Sequence, residues 1–235
     1  MTSEVMLYSG TRLLQFALRG VQYVAANVAN LRHRTDAVFS HTGVGDLYKA
    51  WQVAQLLPPS DGRLLDVGCG RGRLIQQIQL FKQVNCLGVD LQVPSGKPHL
   101  SVYDGRELPF ESGSFDAVVF GYVLHHLSRA HATALVTEAL RVLRGEGKLI
   151  LLEDSLASIG PSYRLRNWAH FIEAGLEYAG RSKSYRAPRR PEMFLNHAGW
   201  RSFLASFPGV TRVDITPLAP QFTYKHHTLI CAHLG

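Results

Sequence analysis

The sequence predicts an α/β fold: a seven-stranded, mostly parallel sheet with a C-terminal antiparallel hairpin strand and an N-terminal helical cap. Three observations predict it. Short, nearly unbroken apolar runs between residues 64 and 152 alternate with segments of helical periodicity, the pattern of strands covered on both faces. A glycine-rich turn follows the first run, and acidic residues recur at the ends of later ones. Two strand-like runs close the chain with no room for a helix between them, which favours a hairpin at the sheet edge.

Residues 1–60 are read as the helical cap and residues 61–235 as the domain proper, with a substrate-facing insertion at about 155–208. The apolar stretch Leu13–Leu31 is interrupted by Gln15, Arg19, Gly20, Gln22 and Asn27, so it does not suit a membrane span. It also lacks the short basic start and uninterrupted apolar centre of a secretory signal. The expected compartment is the cytoplasm. The arginines at 12, 19, 32 and 34 resemble an organellar transit segment, which is the alternative, and a surface-lying membrane helix is a further option.

Leu64–Val67 reads as the first strand, ending in Gly68-Cys69-Gly70-Arg71-Gly72. A helix with Leu74, Ile75, Ile78 and Phe81 on one face follows. Cys86–Asp90, Leu100–Tyr103 and Phe115–Phe120 read as the next three strands. Ser128 caps a helix whose apolar stripe is Ala132, Leu135, Val136, Ala139, Leu140 and Leu143, and Gly145 is expected to end it. Lys148–Leu152 is the fifth strand, delivering Glu153 and Asp154. Helical segments are expected at Tyr163–Tyr178 and Glu192–Phe207, and late strands at Arg212–Thr216 and His226–His233.

Charge is unevenly spread. The chain carries 25 basic and 18 acidic residues, a formal net charge of +7. Residues 61–155 have ten bases and eleven acids, whereas residues 156–235 have ten bases and four acids, so the excess belongs to the tail. Its densest run is Arg181, Lys183, Arg186, Arg189 and Arg190, beside Pro188 and Pro191, and it reads as an exposed loop. Such a loop is either a solvated surface or a device that steers an anionic partner. A content of 46% hydrophobic against 18% charged residues excludes wholesale disorder. Cys69, Cys86 and Cys231 form no close pair, which excludes a disulfide framework and leaves no metal site in view.

The chemistry is concentrated in Asp66-Val67-Gly68-Cys69-Gly70-Arg71-Gly72. Alternate glycines allow a sharp turn out of the strand and close approach of backbone N–H groups to a ligand. A nicotinamide fingerprint would need glycine where Arg73 stands, and a phosphate loop would need Gly-Lys-Ser/Thr. Asp90 ends the second strand, where a carboxylate can accept from both ribose hydroxyls, and Asp104 follows the third, where one can accept from an adenine amine. Together the three acids describe a nucleoside-type ligand along the carboxyl edge of the sheet.

Leu64–Leu74, Gly88-Val89-Asp90, Asp104–Phe110 and Phe115-Asp116 resemble the successive motifs of class I S-adenosylmethionine-dependent methyltransferases. Val123–Leu127 and Ala139–Gly147 continue the likeness in order, with Gly145-Glu146-Gly147 where the group has Pro-Gly-Gly. The resemblance, which covers residues 45–155, is to the small-molecule group that includes ubiquinone and menaquinone methyltransferases. It implies a Rossmann-like sheet, S-adenosylmethionine as cofactor, and a cofactor set of Asp66, Gly68, Cys69, Gly70, Asp90, Leu91, Asp104, Gly105, Gly121 and Tyr122. In that set Asp66 supports the methionine ammonium, Asp90 the ribose, Asp104 and Gly105 the adenine, and Gly121 and Tyr122 border the transferred methyl.

Methyl transfer from a sulfonium is an in-line displacement with a good leaving group, so positioning dominates and a base is needed only for an acceptor that must lose a proton. His125, His126, Glu153 and Asp154 stand at strand ends beside the expected methyl, and His125, His126 and Asp154 are the catalytic candidates. Neighbouring His226 and His227 lie in a strand and face opposite sides, so they are not expected to form a joint site. Tyr48, Trp51, Trp168 and Arg186 are the candidate substrate contacts; Phe171, Tyr178, Tyr185, Phe194 and Trp200 belong to the same aromatic set. The expected partner is a small aromatic or lipid-like molecule, anionic or amphipathic, with peripheral membrane contact as an option and a monomer or homodimer as the assembly. RNA methylation is a second reading, prompted by the basic tail and opposed by Phe120-Gly121-Tyr122-Val123 where a base-amine motif would stand. Cofactor binding without turnover is a third.

Overall fold

A computed structural model of the chain describes residues 44–58, 61–155, 192–218 and 226–235, with Asp46–Gly235 forming one compact unit. The cap up to residue 43, the helix expected at Tyr163–Tyr178, the basic run 181–190, Trp168 and Arg186 lie outside the described residues.

Helix α1 spans Val44–Leu56 and buries Ala50, Val53 and Ala54. Strand β1 is Arg63–Val67, followed by α2 (Arg73–Gln79), β2 (Asn85–Asp90), β3 (Leu100–Val102) and β4 (Phe115–Gly121). A single 3₁₀ turn, Leu124–His126, leads into α3 (Arg129–Val142), and β5 runs from Leu143 to Ser155. Helix α4 (His197–Ala205) precedes β6 (Val210–Pro217) and β7 (His226–Leu234). The strands form one seven-stranded sheet in the order β3-β2-β1-β4-β5-β7-β6. The first five pair in parallel, and β7 inserts antiparallel between β5 and β6. This is the expected mixed sheet with its terminal hairpin.

The apolar strands have two-sided burial because each face carries its own core. Leu65, Val67, Val118, Phe120, Leu149 and Leu151 meet Leu135, Val136 and Trp200 on one face. Leu64, Ala117, Val119, Ile150 and Leu152 meet Ala50, Val53, Ile75 and Ile78 on the other. Alternation along β5 therefore sends Glu153 toward the α3/α4 face and Asp154 toward the α1/α2 face.

Ser128 is the N-cap of α3, its side chain accepting from the His131 N–H. Three boundaries differ from expectation. Helix α3 ends at Val142, and β5 begins at Leu143, so Gly145 and Gly147 lie within the strand and Gly145 does not end the helix. Helix α2 stops at Gln79, which leaves Phe81 43% exposed and off the buried face. Helix α4 occupies only His197–Ala205 of the predicted Glu192–Phe207, because Asn196 caps it by accepting from Gly199 N–H at 2.8 Å. Among the described residues no helix is long and apolar enough to cross a membrane, and no group of three potential metal ligands occurs.

Candidate functional site

Parallel pairing brings the ends of β1, β2, β4 and β5 to one edge, and the candidate residues gather there. Gly68, Gly70 and Gly72 all adopt left-handed backbone, with φ of 80°, 53° and 74°. The turn is tied to β2 by Gly68 N–H and Cys69 N–H, both donating to the Val89 carbonyl, at 2.8 and 3.1 Å. A side chain at Gly68 would place its Cβ 2.4 Å from Val123 Cγ2, whereas one at Gly70 would meet no atom within 4 Å. Gly68 is thus fixed by packing, while Gly70 borders open space.

Asp90 lies at the end of β2 and accepts the Gly70 N–H at Oδ2, 2.8 Å away. One carboxylate oxygen holds the glycine turn and the other is able to accept from a ligand hydroxyl. Asp104 is exposed and accepts the Arg106 N–H at 2.9 Å, forming a local turn. The next residue, Gly105, has φ 80°, and a Cβ there would lie 3.0 Å from Leu91, which is 49% exposed. The segment beyond is clamped onto α3. Arg141 donates to the carbonyls of Leu108 and Phe110 at 3.0 and 2.9 Å, and Glu138 accepts the Leu108 N–H at 3.0 Å. Arg141 also donates to both oxygens of Glu138, which lowers the Glu138 pKa.

Asp66 behaves differently from both. It lies within β1, 1% exposed, and neither carboxylate oxygen has a hydrogen-bond partner. Burial first, and the Asp90 charge second, raise its pKa to about 7. An orphaned buried carboxylate beneath a glycine turn matches the cationic amino-acid end of S-adenosylmethionine, so the residues present fit that cofactor. Cys69 is buried beside this carboxylate; desolvation, then Asp66 and Asp90, push its thiol up to about 12.

The end of β4 carries a second unusual group. Gly121 packs so closely that a Cβ would sit 3.3 Å from Leu74, and Tyr122 has φ 61°, rare for a residue with a bulky side chain. The Tyr122 hydroxyl is buried without a partner, and desolvation, with Asp154, Glu153 and Asp46, raises its pKa well above 10. Lys49 of α1 stands 5.0 Å over its ring, and the His227 ring meets it edge-on at 5.2 Å.

Glu153 is fully buried, and Oε1 accepts the N–H groups of Val123 and Leu124 at 3.2 and 2.7 Å. Its Oε2 meets His125 Nδ1 at 2.5 Å. Glu153 therefore caps the 3₁₀ turn and orients His125, which is buried against Phe194. His126 is half-buried beside it, with ring centroids 4.0 Å apart. Asp154 points to the other face, where its Oδ1 lies 2.8 Å from His227 Nδ1. The two atoms are too far off-line for a regular hydrogen bond, so the contact is chiefly electrostatic.

Tyr48 and Trp51 are 37% and 41% exposed on α1 and stack at 6.1 Å, offering an aromatic face, whereas Trp200 and Phe194 are buried in the domain. His227 is the residue that sequence reasoning passed over. Alternation on β7 was readable, but its partner across β5 is a matter of register.

Residues 65–151 match the model of a methyltransferase-domain family. A demethylmenaquinone methyltransferase of Roseiflexus castenholzii is 32% identical over 53% of this chain and 57% of its own length. The chain thus spans little more than half of that relative. Among solved structures, an S-adenosylmethionine-dependent methyltransferase from Methanosarcina mazei has a TM-score of 0.56 at 18% identity, covering 77% of this chain and 96% of that one. A geranyl diphosphate methyltransferase solved with S-adenosylmethionine has a TM-score of 0.56 at 16% identity, covering 80% and 85%. Such likenesses in structure speak for the fold. Sequence motifs, family match and fold coincide on the same segment: residues 65–151 are similar to a methyltransferase domain, set in a sheet with the fold of S-adenosylmethionine-dependent methyltransferases.

Proposed function

We propose that the protein transfers a methyl group from S-adenosylmethionine to a small aromatic or lipid-like acceptor. The observation that carries this reading is the unpartnered, buried Asp66 carboxylate under an open glycine turn. When bound, the cofactor supplies an electrophilic methyl on a sulfonium with a neutral thioether as leaving group. Asp66 balances the positive charge of the amino-acid end, and the other oxygen of Asp90 accepts from the ribose. Leu91 and Gly105 bound the base, with Asp104 at its edge, and Gly121 and Tyr122 wall the methyl.

The acceptor enters from the side of α1, where Tyr48 and Trp51 expose a stacked pair. A hydroxylated ring of the quinol kind is supported by the chemistry in the name of the Roseiflexus relative. The basic run 181–190, which includes Arg186, and the aromatic Trp168 suit an acidic or amphipathic substituent on the acceptor. Residues 61–235 then act as the catalytic domain, working in the cytoplasm on a small molecule rather than on RNA.

Calorimetry with S-adenosylmethionine and transfer of labelled methyl into cell extracts test the proposal. Binding with about 10-fold or greater loss in Asp90→Ala, and label in an organic-soluble small molecule, are expected. Label only in RNA, or binding unaffected by Asp90→Ala, contradicts it.

A further inference from the structure

The edge of the sheet holds several groups able to take a proton, and the geometry disposes of most of them. Both oxygens of Glu153 are committed to the 3₁₀ turn and to His125. His125 is buried against Phe194 and fixed by Glu153 through Nδ1. The Tyr122 hydroxyl keeps its proton, since burial and three carboxylates oppose ionisation, so it can donate but not accept a proton. Lys49 is a cation over the same ring. Besides His126, whose ring packs 4.0 Å from that of His125, there is His227, set opposite Asp154 by the β5–β7 register, with Nδ1 2.8 Å from the carboxylate and its ring edge-on to Tyr122.

We infer that His227, oriented by Asp154, is the proton acceptor for the acceptor molecule, and that this selects a substrate with an acidic hydroxyl. The inference rests on the methyl-transfer reading above. Three features mark this spot as built for a ligand: a non-glycine residue at φ 61°, a buried hydroxyl with no partner, and an imidazole paired to a carboxylate. The left-handed backbone at Tyr122 holds its ring against His227, and the orphaned hydroxyl is a hydrogen-bond donor awaiting an acceptor oxygen. The carboxylate charge of Asp154 beside Nδ1 favours hydrogen on that nitrogen, which leaves the Nε2 lone pair to receive a proton. Asp154 from β5 is the charged group beside the imidazole, and Lys49 and Asp46 from α1 and Glu153 from β5 act on the Tyr122 ring that the imidazole meets.

The step balances without an outside reagent. The hydroxyl proton of a phenol or quinol passes to Nε2 of His227, leaving the electron pair on oxygen or delocalised to the ring carbon beside it. That pair forms the new bond to the methyl carbon, and the carbon–sulfur bond breaks with its electrons going to sulfur. The products are the methylated acceptor, a neutral thioether and an imidazolium that returns its proton to solvent. If the ring carbon is methylated, its own proton passes to solvent as the ring becomes aromatic again, and the imidazolium returns its proton to the ring oxygen instead. His227 is then a catalytic residue and Asp154 a positioning residue.

The test uses the full chain, His227→Gln and Asp154→Asn. S-adenosylmethionine affinity is measured first, and is expected to stay within about 3-fold of the parent in both variants; a parent that does not bind it defeats the underlying reading instead. The chromophoric phenol 4-nitrocatechol is then added without cofactor. The parent is expected to bind it ionised at pH values where it is neutral in solution, and His227→Gln is not. With labelled cofactor and 1,4-naphthoquinol, His227→Gln should lose about 10²-fold in kcat near neutral pH, with recovery as pH approaches the acceptor's own ionisation. Asp154→Asn should lose less, with its pH profile displaced. Equal ionisation of 4-nitrocatechol in parent and His227→Gln, or parallel pH profiles, overturns the inference.

Discussion

At the scale of single residues, the site is defined by groups whose local needs are unmet. Asp66 is the sharpest case, because burial raises its carboxyl from 3.8 to about 7. The folded protein holds this proton more tightly than the unfolded chain. The group's contribution to stability is therefore complete below pH 3.8 and is lost as pH rises through about 7. Asp66→Asn should remove that slope and stabilise the cofactor-free protein above neutral pH, while weakening S-adenosylmethionine binding. Urea denaturation across pH 4–8 with parallel calorimetry checks both halves. A variant less stable than the parent at pH 8 contradicts the assignment.

The glycines of the turn provide a second residue-scale contrast. Gly68→Ala combines left-handed backbone with a Cβ 2.4 Å from Val123, and should cost about 3 kcal/mol of folding stability. Gly70→Ala meets nothing within 4 Å, so it should cost only about 1 kcal/mol while obstructing the ligand side of the turn. Denaturation and cofactor titration of the two variants should rank them oppositely: Gly68→Ala worse in stability, Gly70→Ala folded but poor in binding. The glycine spacing announced a turn with backbone exposed to a ligand. Which glycine faces the ligand was not legible, because Val123 reaches Gly68 only after β4 is laid beside β1.

At the scale of elements, the segment Asp104–Phe110 is positioned by a helix far along the chain. Arg141 and Glu138 on α3 take up the backbone groups of Leu108 and Phe110. Arg141→Leu should cost about 1–3 kcal/mol and loosen the adenine side of the site, raising the Kd for S-adenosylmethionine with little effect on kcat. The pair also has a pH signature. Hydrogen bonding from Arg141 lowers the Glu138 pKa, so this stabilisation is present above the unfolded carboxylate value and lost as pH falls through the folded one. Thermal melts of parent and Arg141→Leu should converge on acidification. Element boundaries show the same division. The Ser128 cap was readable because a cap is local. The start of β5 at Leu143 was not, because pairing with Phe115 of β4 extends the strand into a stretch whose glycines suggest a turn.

At the scale of the whole molecule, the core on the α1/α2 face of the sheet shuts the three cysteines away from solvent. Desolvation, the main cause in each case, pushes Cys69 and Cys86 up to about 12 and Cys231 to about 11. Iodoacetamide labelling followed by mass spectrometry should therefore report opening of the domain. Cys86 and Cys231, inside strands, are expected to react only with global unfolding. Cys69, in the glycine turn, should react earlier and be protected by S-adenosylmethionine. Uniform fast labelling of all three would show that the packing on this face is wrong.

The sequence by itself determined the sheet, its glycine turn and the acids strung along its edge. Each is written in short-range patterns: period-two and unbroken apolar runs, alternate glycines, carboxylates at strand ends. Tertiary structure decided which of those acids serve as scaffolding and which stay unsatisfied. Asp90 holds the turn by accepting from Gly70, Glu153 is spent on the 3₁₀ turn, and Asp66 is left without a partner. It also paired Asp154 with His227, residues far apart in the chain that only the antiparallel register of β5 and β7 makes neighbours. Periodicity specifies the face on which a side chain lies. Its partner depends on how strands remote in sequence come into register, and that depends on the packing of the whole sheet.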